Sequence, residues 1–136
     1  MAEPIRIEVE FSGARSVALA AGAATVSDVF LFSPNAQHAR GTFKSVSSTP
    51  TPVATDITDF YILGSNGDPD GADDSAREYA SADVVHADAI VSLDHAQQIT
   101  AVRNGTLRAY QAGKIRVVNN GAVSVTVSAV LEEFIG

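Results

Sequence analysis

The stretch Gly113-Lys114-Ile115-Arg116-Val117-Val118-Asn119-Asn120-Gly121-Ala122-Val123-Ser124-Val125-Thr126-Val127-Ser128-Ala129 decides the fold class. Ile115 and Val117 alternate with Lys114 and Arg116, then Val123, Val125 and Val127 alternate with Ser124, Thr126 and Ser128. Period two with β-branched residues marks strands that bury one face. The polar Asn119-Asn120-Gly121 between them reads as a turn. Register tests that turn, because residues opposite each other on an antiparallel pair share a face. A two-residue loop at Asn120-Gly121 sets Val117 against Ser124 and mixes the faces. A three-residue loop, Asn119 to Gly121, sets Val117 against Val123 and Ile115 against Val125. The spacing therefore predicts a hairpin, with Gly121 in the left-handed region as a bulge.

The same period recurs at the other end of the chain. Ile5, Ile7, Val9 and Phe11 alternate with Arg6, Glu8 and Glu10. The first and last strands are expected in the two sheets, apolar faces inward, with the last running on into Val130 and Leu131. Between them, Val29 to Phe32, Gly41 to Ser47, Asp59 to Leu63 and Ala89 to Leu93 read as shorter strands. Ile99 to Tyr110 reads as a hairpin about Asn104-Gly105. The run Ser48-Thr49-Pro50-Thr51-Pro52 removes ladder donors and reads as an extended loop. Asp73 to Ala87 holds at most one short helix, because its apolar positions keep no 3.6 period. Short strands separated by Gly, Asn and Pro turns predict an all-β fold: an antiparallel β-sandwich, jelly-roll-like, with a closed barrel as the other arrangement.

At 136 residues, 46% apolar and 18% charged, the chain is expected to form a single β-sandwich domain over 1–136, with residues 1–4 a flexible N-terminal segment. A chain of this length buries about 68% of its unfolded surface. Cysteine is absent, which excludes disulfides and thiolate chemistry. No apolar run approaches a membrane span, and the start Met1-Ala2-Glu3-Pro4 lacks the features of a signal peptide, so cytoplasmic synthesis and no membrane partner are expected. The net charge of −7 argues against a nucleic-acid partner.

Charge is segregated along the chain. Residues 56–94 hold ten acids and one base, Arg77, whereas residues 95–131 hold Arg103, Arg108, Lys114 and Arg116 and no acid. The plain reading is solubility and an acidic surface loop. The sharper one is complementarity toward neighbouring subunits or a shared partner.

Asn66-Gly67-Asp68-Pro69-Asp70-Gly71 resembles a calcium loop, with Asn66, Asp68 and Asp70 as candidate ligands. The carboxylate required at its twelfth position is missing, since Arg77 stands there, so a solvated turn is the favoured reading. His38, His86 and His95 show no metal-ligand spacing. No Gly-x-Ser-x-Gly elbow and no phosphate loop is present. Catalytic residues, cofactors and enzymatic activity are accordingly not expected. Tyr61, Tyr79 and Tyr110 are the only tyrosines and tryptophan is absent, which is sparse for sugar stacking. A carbohydrate site is read as an alternative, with Tyr61 or Tyr110 in an exposed aromatic cluster.

The order Asp59-Phe60-Tyr61-Ile62-Leu63-Gly64-Ser65-Asn66-Gly67-Asp68, then Ile90-Val91-Ser92-Leu93-Asp94, then Tyr110-Gln111-Ala112-Gly113-Lys114-Ile115-Arg116-Val117-Val118-Asn119-Asn120-Gly121 resembles small jelly-roll virion proteins of tailed bacteriophages. These include head-decoration and tail-associated subunits. The resemblance covers about residues 56–134, and the acidic insert from Asp68 to Asp88 departs from the family's compact pattern. It implies a non-enzymatic virion structural protein, most of all a capsid decoration subunit on the major capsid protein lattice. It also implies a homo-oligomer, for which a trimer is expected, and location in the virion. The alternatives are a tail-associated subunit and a host-surface carbohydrate-binding module.

Overall fold

Strands with apolar residues at every second position are stable only where a second layer covers that face. A computed structural model of the chain, describing residues 5–33, 36–65, 90–96, 98–108 and 112–135, shows how this sequence meets the requirement. Ten strands occur in order: β1 (Ile5–Glu8), β2 (Val17–Leu19), β3 (Ala24–Val26), β4 (Phe30–Leu31), β5 (Ala36–Ser47), β6 (Ile57–Ser65), β7 (Ile90–Asp94), β8 (Thr100–Arg108), β9 (Ala112–Asn119) and β10 (Val125–Ile135). No helix occurs among the described residues. The first sheet runs β1-β10-β5-β8, with β2 also on β10. The second runs β3-β9-β6-β7, with β4 also on β9. Every pairing is antiparallel, and the two sheets form the expected sandwich.

The core lies between them. From β10 come Val125, Val127, Ala129 and Leu131; from β9, Ile115 and Val117; from β1 and its extension, Val9 and Phe11. Ile7 packs against this core, while Ile5 is 43% exposed and breaks the expected pattern. Phe43 of the first sheet meets Phe60 of the second at 5.2 Å between ring centroids, and both are fully buried. Beside Phe43 the strands carry a glycine pair, Gly41 opposite Gly105. A Cβ at Gly41 would stand 2.5 Å from the Phe43 ring, and one at Gly105 would stand 2.8 Å from Val91. Asn104-Gly105 is thus the middle of a straight strand. Its glycine makes room for the opposite layer instead of turning the chain.

The predicted Asn119-Asn120-Gly121 hairpin is also corrected. β9 belongs to the second sheet and β10 to the first, so the segment crosses between layers and Val117 does not pair with Val123. Burying one apolar face per strand satisfies a crossover as well as a hairpin, so register logic does not separate them. Among the described residues the left-handed glycines are Gly13 and Gly22, and Gly121 is not one of them. The first closes the Ser12-Gly13 turn, where Phe11 and Ala14 exchange backbone hydrogen bonds and Asp28 accepts from both turn N–H groups. The second sits in the turn that carries the chain from β2 to β3. The first and last strands are paired in one sheet, not divided between two.

Four crossings, β2–β3, β5–β6, β7–β8 and β9–β10, gather at one end of the sandwich. The Pro-rich segment 48–52 is part of one of them; residues 48–51 bend where an extended loop was expected, the Thr49 N–H turning back to Ser47 Oγ at 3.3 Å, and Pro52 is buried.

Candidate functional site

The densest chemistry lies where the four crossings meet. His95 follows β7 and points inward, while its neighbour Asp94 is exposed and accepts from the Ala96 N–H. The Nδ1 of His95 lies 3.2 Å from the Gln98 carbonyl and its Nε2 3.3 Å from Ser45 Oγ. A carbonyl only accepts, so Nδ1 donates to it, and Nε2 shares a hydrogen bond with the Ser45 hydroxyl. Ser45 in turn lies 2.9 Å from the hydroxyl of Thr58. A serine hydrogen-bonded to a histidine is the beginning of a nucleophilic dyad. Here Ser45, Thr58 and His95 are each 0% exposed, and the third partner is a main-chain carbonyl. No substrate reaches this serine without unfolding the corner.

Asp56, in the β5–β6 crossing, accepts from the N–H groups of Ala122 (3.1 Å) and Val53 (3.2 Å). Those two N–H groups hold its carboxyl below the ordinary 3.8, the Ala122 bond contributing most; burial opposes them and the His95 ring adds to them. Asn119 completes the corner. Its Nδ2 donates toward the carbonyls of Leu19, Ala20 and Val123, and its Oδ1 accepts from Gly121 N–H at 2.9 Å. Each of these groups serves another part of the same chain, so the corner is a structural knot. A shallow open depression lined by Pro52, Val53, Ala54, Ala96 and Gln98 adjoins it, and none of these described residues is ionisable.

The outer face of the second sheet differs in kind. Its register places Tyr61 opposite Arg116, and Arg116 opposite Val26; one pair along, Asp59 stands between Val118 and Ser92. Residues paired in this way share a face. Phe60, Val117, Val91 and Leu93 are buried inward, which leaves Tyr61, Asp59, Arg116, Val118 and Ser92 outward. Tyr61 is half-buried, with the Arg116 guanidinium carbon 5.4 Å from its ring centroid. Asp59 accepts from Ser92 Oγ and from Asn120 Nδ2, each at 2.5 Å. Asn120 is set by the crossing itself, through its N–H to the Ile57 carbonyl at 2.8 Å. Val26 and Leu31, 45% and 51% exposed, extend the face toward the β3 and β4 edge. An aromatic ring, a guanidinium, a carboxylate, an amide and a hydroxyl thus share one flat surface with apolar neighbours.

The residues singled out from sequence are distributed unevenly over this geometry. Tyr61 falls in the outer face and His95 in the sealed corner. Asn66, Asp68 and Asp70 lie outside the described residues, as do Tyr79, Tyr110, His86, the segment 73–87 and residues 1–4. His38 lies in β5. Asp59, Ser92, Asn120 and Arg116 were not predicted as a group. The outward position of Arg116 was legible from its alternation with Ile115 and Val117, but the strand order that brings it to Tyr61 was not.

No family model matches the chain, and no curated protein matches it. Solved structures are similar to it. The PBSX exported protein XepA is 12% identical, with a TM-score of 0.54 over 97% of this chain and 37% of that one. Tripeptidyl peptidase 2 is 12% identical, with a TM-score of 0.52 over 96% of this chain and 10% of that one. The carbohydrate-binding module CBM36, in complex with calcium and xylotriose, is 12% identical, with a TM-score of 0.47 over 96% of this chain and 99% of that one. The chain therefore spans about a third of the length of XepA and a tenth of that of the peptidase. At this identity the likeness to those two is one of fold.

Proposed function

We propose that the chain is a non-catalytic carbohydrate-binding module whose ligand lies across Tyr61 on the outer face of the second sheet. The observation that carries this reading is the amphipathic composition of that face. A sugar ring presents C–H groups on its flat side and hydroxyls at its rim. Tyr61, Val26 and Val118 supply apolar contact, and Asp59, Ser92 and Asn120 supply hydrogen bonds at the level of the rim. Each Asp59 oxygen already accepts one bond and has a second lone pair for a hydroxyl. The sealing of Ser45 and His95 supports a module without catalysis. The capsid-decoration role implied by the sequence resemblance draws no support from the solved structures named above.

Calorimetric titration against a panel of oligosaccharides tests the proposal. A saturable signal is expected, with Tyr61→Ala weakening it at least tenfold, as loss of a central aromatic contact does. The melting temperature should stay close to that of the parent, since Tyr61 lies outside the core. A panel without any saturable signal overturns the reading.

A further inference from the structure

The arginines of this chain are not equally engaged. Arg6 and Arg15 both pair with Glu8, at 3.5 and 2.6 Å, and Arg40 pairs with Glu132 at 3.7 Å. Arg103, on β8, donates to the Ser92 carbonyl at 3.4 Å. Arg116 differs: its contact is the ring of Tyr61, and among the described residues no acceptor meets its N–H groups. A cation over a ring face satisfies the charge in part and uses none of the five donors. A planar fork of donors held beside an aromatic platform is suited to a carboxylate, which it can bind through two parallel hydrogen bonds.

The surrounding charge agrees. Lys114 stands two residues from Arg116 on the same strand and face, and Arg103 reaches the β7 rim beside Ser92. These three belong to the stretch 95–131, which contains four bases and no acid. Among the described residues, the carboxylate on this face, Asp59, has both oxygens engaged by Ser92 and Asn120. The whole chain carries −7, yet among its described residues this face carries Arg116 and Lys114 beside the single acid Asp59.

We infer that the saccharide is acidic, a uronic acid unit whose ring lies along Tyr61 and whose carboxylate is held by Arg116. The inference rests on the carbohydrate reading above and adds the ligand's charge. The test titrates the full chain with oligosaccharides of galacturonate, glucuronate and mannuronate, each beside its neutral methyl ester, at low and high salt. For at least one pair, the acid should bind about tenfold or more tightly than the ester, with the difference shrinking at high salt. Arg116→Gln should abolish the difference and Arg116→Lys should restore part of it, both with an unchanged melting temperature. Binding of neutral sugars with no preference for any acid overturns the inference and leaves the carbohydrate reading standing. A preference that survives in Arg116→Gln overturns the assignment to Arg116, and no binding of any sugar overturns both.

Discussion

Asn119 is the last residue of β9 and is 1% exposed, yet its side chain engages four main-chain groups in two different crossings. A buried amide so placed is worth less for the bonds it makes than for the groups it keeps from going unpaired. Asn119→Ala removes its amide from the carbonyls of Leu19, Ala20 and Val123 and from the N–H of Gly121, while Ala20 keeps its bond from the Ala23 N–H. Chemical denaturation should show a loss of about 2–4 kcal/mol, the sum of a few such penalties partly relieved by water. Gly41 is constrained by space alone. Its missing Cβ lies where the Phe43 ring stands, and that ring is wedged against Phe60. Gly41→Ala should therefore cost about 1–3 kcal/mol as an overpacked core does. The same change at exposed Gly13, where nothing lies within 4 Å, acts only through its left-handed backbone.

The strands show what a single sequence discloses about elements. Alternation is a local property, so Ile115 and Val117 against Lys114 and Arg116, or Val125 and Val127 against Thr126 and Ser128, gave the correct inward faces. Which strand lies beside which is a long-range property, and there the reading of Asn119-Asn120-Gly121 as a hairpin failed. β2 and β3, three residues each in an Ala- and Gly-rich stretch, offered no alternation to read and went unpredicted. The candidate face suffered from the same gap: Tyr61 was visible as a residue type, but its neighbours Asp59, Ser92 and Asn120 come together only through the order of β9, β6 and β7. One element has a consequence for solubility. β8 ends its sheet, and Arg103 sits on the same face as Phe43, at the rim, reaching to the β7 carbonyl of Ser92. A charge held at an edge in this way discourages pairing with another chain. Arg103→Val should leave the melting temperature nearly unchanged and raise self-association, measured by light scattering against concentration.

At the scale of the molecule, the two sheets are joined at one end by four crossings that hydrogen-bond to one another. Gly22 N–H donates to the Asn119 carbonyl, Asn119 N–H to the Ala23 carbonyl, Ser48 N–H to the Ser124 carbonyl, and His95 N–H to the Asp56 carbonyl. Asp56 is the ionised member, and its carboxylate bonds connect the β5–β6 crossing to the β9–β10 crossing. Because folding lowers its pKa below the ordinary 3.8, the folded state favours the deprotonated form. The resulting stabilisation is fully present above that ordinary value and is lost as the pH falls through the lower folded value. The opposite sign would hold for a raised pKa. Asp56→Asn should therefore lower the melting temperature at neutral pH and flatten its dependence on pH below about 4, where the parent loses this contribution. Hydrogen exchange should place the first acid-induced opening at the Ala122 and Val53 amides, ahead of the β5–β10 ladder. If those amides stay protected until the ladder itself exchanges, Asp56 does not control the acid stability of this end of the sandwich.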